Sequence, residues 1–270
     1  MFGRRPDATL VRDLSATRRF MPILSPRRND NLVWFELEVE VERALAWAQG
    51  RSAGRDPQRP ITLFHVVLAA LARILSERPR LNRFTAGGRL WQRDGIWLTF
   101  SAKMRFDEDA PLLTVKRRVD PALPVEKMVD VLLDSLASGR RGEATTSDRE
   151  VTGLLALPPL LARLLVRLAD VADSFGLLPR AMLDADPLNA SVFVANLGSV
   201  GLEAGYHHLW EHGSCPIFCV IGRVKPGRAG ARVVTLKFTY DERIEDGLYC
   251  ARALDRLREL IERPETLDAA

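Results

Sequence analysis

The chain has 270 residues, 47% of them hydrophobic, and a formal net charge of +4; a chain of this size and apolar content buries one large core or two modest ones, which excludes disorder as its default state. Of its 39 basic residues five are lysines, so 34 are arginines, spread along the whole chain rather than gathered beside aromatic residues. With no basic face, recognition helix or zinc-finger spacing, nucleic acid is not an expected partner.

Residues 1–19 mix Arg, Asp and Pro without periodicity and read as an N-terminal arm; residues 20–268, with no internal repeat or linker, read as a single α/β domain. The first residues carry no secretory apolar run and nothing later is long enough to cross a bilayer, so a cytoplasmic location is expected. Val33 to Val41 alternates apolar and acidic residues as a half-buried strand does, Glu42 to Gln49 reads as a helix, and Leu63 to Glu77 places Val66, Val67, Ala70, Leu71, Ile74 and Leu75 at helical spacing. Thr62 is its expected N-cap and Pro79 its stop. Asp94-Gly95, between Arg89-Leu90-Trp91 and Trp97 to Phe100, predicts a β-hairpin. Leu112 to Arg118 predicts a strand, Val125 to Leu136 a helix, and Gly139 to Ser147 a polar, basic loop.

Gly153 to Leu183 crowds Leu154, Leu155, Leu157, Leu160, Leu161, Leu164, Leu165 and Leu168 into four turns with only Arg163 and Arg167 between them. One reading is a helix buried against the sheet or a neighbouring subunit. The other is a wall for a long apolar substrate or a peripheral lipid contact, since the run is too short and too interrupted to span a membrane. Strands follow at Ser191 to Asn196, Ile217 to Ile221 and Val233 to Tyr240, the last two joined by a Pro226 to Gly230 hairpin loop, and Gly247 to Arg263 closes the chain as a helix.

Three of the four histidines sit in Tyr206 to His212. His207, His208 and His212 are candidates for proton transfer, against the alternative of imidazoles packed beside a turn. On a helix His208 and His212, four apart and next to Glu211, would share a face fit for a metal, but no further ligand cluster is evident and none is expected to be bound. His65, on an apolar helix face, reads as structural. Cys215, Cys219 and Cys250 are odd in number and lack C-x-x-C spacing, which speaks against a disulfide framework or a zinc site. The chain has no nucleophile elbow, phosphate-binding glycine loop or dinucleotide fingerprint, which disfavours a serine hydrolase, a phosphotransferase and a nicotinamide oxidoreductase.

Asp241-Glu242-Arg243-Ile244-Glu245-Asp246-Gly247 resembles the active-site motif of the chloramphenicol and 2-oxo acid dehydrogenase (dihydrolipoamide) acyltransferases. Pro79-Arg80-Leu81-Asn82, Val194-Ala195-Asn196-Leu197-Gly198 and Arg263-Pro264-Glu265-Thr266-Leu267 resemble further motifs of that family, in the same order, so the likeness spans roughly residues 18 to 268. It implies a two-layer α/β sandwich of mixed β-sheet and helices, of the chloramphenicol acetyltransferase type. It also implies a homotrimer, with a substrate channel at each subunit interface where coenzyme A, or acyl-coenzyme A, meets an acceptor. No lipoyl-bearing domain is expected ahead of residue 20.

In the family a histidine of the motif deprotonates the acceptor as it attacks an acyl-thioester, and a serine on the Asn-Leu-Gly strand supports the oxyanion. Carried over by position, Asp246, Arg243 and Asn196 match the family's residues, whereas Glu242 stands at the histidine and Ala195 at the serine. Near neutral pH a carboxylate is a weaker base than an imidazole, and alanine has no donor. The resemblance therefore implies a divergent acyltransferase in which Glu242 or a nearby histidine is the base. The alternative is a non-catalytic pseudoenzyme that binds an acyl-thioester, a lipid or a protein partner. Asp241, Arg243, Asp246 and Gly247 also suit a purely structural turn that pins the last strand to the last helix.

Overall fold

A computed structural model describes residues 4–103, 107–109, 112–141 and 153–268. Nine strands and seven α-helices alternate along them: β1 (Ala8–Leu10), α1 (Ala16–Leu24), β2 (Leu32–Glu40), α2 (Glu42–Ser52), α3 (Leu63–Glu77), β3 (Arg83–Ala86), β4 (Arg89–Arg93), β5 (Ile96–Lys103), β6 (Leu112–Val119), α4 (Val125–Arg140), α5 (Pro159–Ser174), α6 (Arg180–Ala185), β7 (Val192–Asn196), β8 (Ile217–Pro226), β9 (Arg232–Asp241) and α7 (Gly247–Glu262).

Six strands form one mixed sheet in the order β2-β9-β8-β7-β5-β6, with β7 parallel to both neighbours and the other pairs antiparallel. Alternation decides which side chains meet which layer. Leu37 and Val39 of β2, Leu98 and Phe100 of β5, Val192 and Val194 of β7 and Leu236 and Phe238 of β9 point to one face. There they build the main core with α2, α3, α4 and α7. The opposite face carries Phe193, Phe218 and Val220, covered by Ala204, Leu209 and Trp210 of the long connection between β7 and β8. At the free edge, β2 puts Glu36, Glu38 and Glu40 into solvent, a charged rim that discourages further strand pairing.

Helix α3 spans the predicted residues, because ten of its fifteen residues are buried and its N-terminus is closed by a reciprocal cap. The Thr62 backbone N–H donates to His65 Nδ1 at 3.1 Å. Burial pushes the His65 pKa down to about 4, which keeps that nitrogen an acceptor. His65 is structural, as its position on an apolar face predicts.

Three expectations are corrected. Asp94-Gly95 is not the tip of a hairpin: β4 pairs with β3 and β1 in a separate three-stranded sheet, while β5 belongs to the large one, so this dipeptide is the crossing between sheets. The hairpin turn is Gly87-Gly88, whose φ values of 58° and 69° suit the left-handed positions of a tight turn. Asn82 Nδ2 holds the crossing by donating to the Gly95 carbonyl at 2.8 Å.

Second, the leucine-rich helix does not bury itself against the sheet of its own chain, since no residue of α5 is buried. Its inward side is made of small and acidic residues, and ion pairs rather than leucines hold it: Asp173 with Arg5 at 2.7 Å and Asp170 with His212 at 2.5 Å. Third, Tyr206 to Trp210 is not helical, so His208 and His212 do not share a helix face.

Residues 8–10, within the expected arm, pair with β4, and α1 begins at Ala16. Of the loop expected at 139–147, Gly139 and Arg140 end α4, and residues 142–147 lie outside the described residues. Among the described residues no helix is long and apolar enough to cross a membrane.

Candidate active site

Glu242 begins the turn between β9 and α7, and its surroundings follow from the charges on either side of it. Asp241, fully buried at the end of β9, accepts two hydrogen bonds from the Arg243 guanidinium, Nε to Oδ1 at 2.8 Å and Nη2 to Oδ2 at 2.7 Å, and one from the Arg243 backbone N–H at 3.1 Å. Arg243 is itself buried and donates through Nη1 to the carbonyls of Ser25 and Pro26, at 3.1 and 2.7 Å. A second buried guanidinium, Arg28, stands 3.8 Å from Asp241 and donates to the carbonyls of Trp210 and Gly213. Burial lowers the Arg28 pKa, with Asp241 opposing the shift. These groups fasten the end of β9 to the segment after α1 and to the β7–β8 connection.

Glu245 is also buried, within 4 Å of Arg18, Arg80 and Arg83. Asp246 is the N-cap of α7: its Oδ1 accepts the Tyr249 N–H at 2.9 Å, and that backbone hydrogen bond holds its carboxyl below the usual range.

Glu242 differs from its neighbours. Its backbone is pinned at both ends, N–H to the Asn31 carbonyl at 3.0 Å and carbonyl to Arg18 Nη1 at 2.7 Å. Among the described residues its half-buried carboxylate makes no hydrogen bond or ion pair.

Ala195 and Asn196 end β7 at the opposite end of the sheet. Asn196 Oδ1 accepts the Ser199 N–H at 3.3 Å and its carbonyl accepts the Ser199 hydroxyl at 2.7 Å, which starts a short 3-10 turn at Leu197. Gly198 is required there because a Cβ would collide with the Gly222 carbonyl, where β8 carries a register shift. Ala195 packs among the apolar residues around Phe193 and Phe218 and offers no donor.

The strand register separates the two halves of the motif. Phe193, Phe218 and Thr239 lie on one line across β7, β8 and β9; Ala195 is two residues beyond it in one direction and Glu242 three residues beyond it in the other. At about 3.3 Å per residue and about 4.8 Å per strand, Glu242 and Ala195 of one chain lie roughly 15–20 Å apart.

The histidines lie on the Ala195 face. The His207 ring stacks on Phe218 with centroids 4.0 Å apart and on His208 at 4.5 Å, with Trp210 at 4.9 Å. Its Nδ1 lies 2.6 Å from the His208 carbonyl, which can only accept, so Nδ1 carries the proton and Nε2 keeps its lone pair. Partial burial lowers the His207 pKa, so the ring is neutral at pH 7. His208 Nδ1 donates in the same way to the Leu209 carbonyl at 3.0 Å. His212 is different: its ring N–H groups donate to the Asp186 and Asp170 carboxylates, which raises its pKa to about 9, leaving it protonated and unfit as a base. The structure thus gathers His207, His208 and Ala195 on one face and leaves Glu242, Arg243 and Asp246 at the far end of the sheet.

Sequence reasoning missed Arg18, which lies on α1 within the expected arm, Arg28 in the irregular stretch after that helix, and the Phe193–Phe218–Trp210 platform, whose members are scattered over three segments. The alternation of β7 and β8 was a signal for the two phenylalanines. Among the described residues no group of three or more His, Cys, Asp or Glu side chains could hold a metal ion.

This arrangement of elements is shared with solved acyltransferases. The dihydrolipoamide acetyltransferase of Azotobacter vinelandii matches with a TM-score of 0.62 at 15% identity, over 96% of this chain and 94% of that one. A catalytic core of the 2-oxoacid dehydrogenase complex from Thermoplasma acidophilum matches at 0.61 and 14%, over 94% and 98%. A chloramphenicol acetyltransferase matches at 0.56 and 14%, over 94% and 99%. The chain therefore has the chloramphenicol acetyltransferase-like fold that its motifs predict, and likeness at these identities establishes the fold alone. Comparison with protein-family models gives no match, and neither does comparison with curated protein sequences.

Proposed function

We propose that this protein is a coenzyme A-linked acyltransferase that works as a cytoplasmic homotrimer, with His207 as its general base. The observation that carries this reading is the His207 tautomer. A neutral imidazole donates Nδ1–H to a backbone carbonyl at 2.6 Å and presents Nε2 as an acceptor on the Ala195 face. Nε2 takes the proton of an acceptor thiol or alcohol as its oxygen or sulfur attacks the thioester carbonyl; the imidazolium then returns the proton to the departing coenzyme A thiolate. With Ala195 lacking a donor, the oxyanion is held by another group. The register supports a site shared between copies, because no small substrate touches Glu242 and Ala195 of one chain at once. In the trimer Glu242 of one copy faces the His207 side of the next, where Asn196 shapes the wall, while Arg243 and Asp246 hold the turn that carries Glu242.

The test is acyl transfer from acyl-coenzyme A of varied chain length to a panel of thiols and alcohols. A positioned general base contributes typically 100- to 10,000-fold. His207→Gln should therefore lower turnover by at least 100-fold and Glu242→Gln by less, and turnover should rise with pH through the lowered His207 pKa. The opposite ranking makes the carboxylate the base. No turnover from an assembled wild-type protein sinks the acyl-transfer reading.

Ala195, packed without a donor, favours a second reading: a non-catalytic relative that binds an acyl-thioester. Native mass spectrometry of the purified protein, with and without acyl-coenzyme A, decides it, since absence of any bound thioester removes that reading.

A further inference from the structure

Helix α5 is mounted inside out. At 100° per residue, Leu160, Leu161, Leu164, Leu165, Leu168 and Val171 occupy one arc of about 140°, and they are between 41% and 79% exposed. The opposite side, with Ala162, Val166 and Ala169, is half-buried, and on it Asp170 and Asp173 are ion-paired with His212 and Arg5. Both aspartates of α5 are thus neutralised by partners of the same chain, and the charge of the helix that is left for an outside partner is positive. Arg163 and Arg167 are exposed along one rim of the leucine arc, and Arg4 is exposed near Gly176 just past the C-terminal end. Leu155 before the helix and Leu177 after it, both more than 70% exposed, lengthen the apolar ridge.

We propose that this ridge docks on an anionic lipid surface, with α5 lying in the plane of the interface. A helix that offers leucines on one arc and two arginines along its rim, its aspartates being already paired, has the composition of an interfacial segment, whose apolar face enters the headgroup boundary while its basic rim meets lipid phosphates. The sixteen residues of α5 make a rod of about 24 Å, parallel to the surface rather than through it. The ion pairs to Arg5 and His212 keep the rod fixed to the protein while its leucines face out. The inference is independent of acyl transfer: it uses none of the residues placed in the candidate active site.

Flotation of the full chain with vesicles tests it. Wild-type protein should float with phosphatidylcholine–phosphatidylglycerol vesicles and stay behind with phosphatidylcholine alone at moderate salt. Near an anionic surface each arginine is worth roughly fivefold in partitioning, so Arg163→Gln with Arg167→Gln should weaken binding about thirtyfold. Leu164→Ser with Leu168→Ser, at exposed positions where folding is not at risk, should lower it by at least tenfold. Failure of the wild type to float, or unchanged flotation of the leucine variant, overturns the proposal. So does a fall in sedimentation mass of that variant without vesicle binding by the wild type, which would give the ridge to a second copy of the chain.

Discussion

Replacing Arg243 by methionine strips Asp241 of its bidentate partner. The carboxylate is fully buried and its remaining countercharge is Arg28, whose Nε lies 3.8 Å away. Breaking a buried pair by removing one partner costs about 3–5 kcal/mol, because the other charge stays behind without compensation. The change also leaves the Ser25 and Pro26 carbonyls without the donor they have at 3.1 and 2.7 Å. With an unfolding entropy of about 2.1 cal/mol/K per residue, 270 residues give about 0.6 kcal/mol/K, so a loss of about 4 kcal/mol lowers Tm by about 7 °C. Asp241→Asn should cost more than Arg243→Met, since it leaves two buried guanidinium groups facing each other with no anion between them. The double variant should cost clearly less than the sum of the singles, as expected for groups in direct contact. Calorimetry at one fixed protein concentration, so that assembly does not move Tm, measures all four corners. Single variants within about 1 kcal/mol of wild type, or additive losses in the double, would refute the view that this pair persists to hold the turn.

Stability should fall on both sides of neutrality for different reasons. The folded His65 pKa, about 4, lies below the unfolded value of about 6.5, so the stability it contributes is present above pH 6.5 and is lost as pH falls toward 4, by up to about 3 kcal/mol. His212 has the opposite sign: with a folded pKa of about 9 its contribution is fully present below pH 6.5 and lost as pH rises through 9. The His212 side chain is 38% exposed, so solvent screening reduces that contribution to about 1 kcal/mol. Urea unfolding against pH should show both slopes, with His65→Gln removing the acid one and His212→Gln the alkaline one; a slope that survives its variant belongs to other groups. Gly198→Ala should cost about 1–3 kcal/mol, since its Cβ meets the fixed Gly222 carbonyl; an unchanged denaturation midpoint would show that this approach is loose.

The seven-residue motif was legible because its parts are local. Asp246 caps the helix that starts at the next residue, and Arg243 folds back on Asp241 two positions earlier. What each charge does within the motif was not legible, because the answer lies in residues far along the chain: Arg28 comes from the end of an irregular segment, and the Arg18, Arg80 and Arg83 that face Glu245 come from three different elements. Neither was the His207 tautomer, which depends on how an irregular connection lays its rings over Phe218.

The sequence by itself determined the order and nature of the elements wherever burial is periodic. The alternation of β2 and β9, the apolar stripe of α3 with its Thr62 cap and the Asn-Leu-Gly turn each write their environment into neighbouring residues, and together they carried the resemblance to the acyltransferase fold. Tertiary structure alone decided the rest. Gly87-Gly88 and Asp94-Gly95 are both good turn sequences, and only the competition of Leu98 and Phe100 for the main core assigns β4 and β5 to different sheets. The leucines of α5 carry the periodicity of a buried helix, yet they face outward, because apolar spacing defines a face without saying what covers it. The direction of that face was set by Asp170 and Asp173, whose partners lie 42 and 168 residues away.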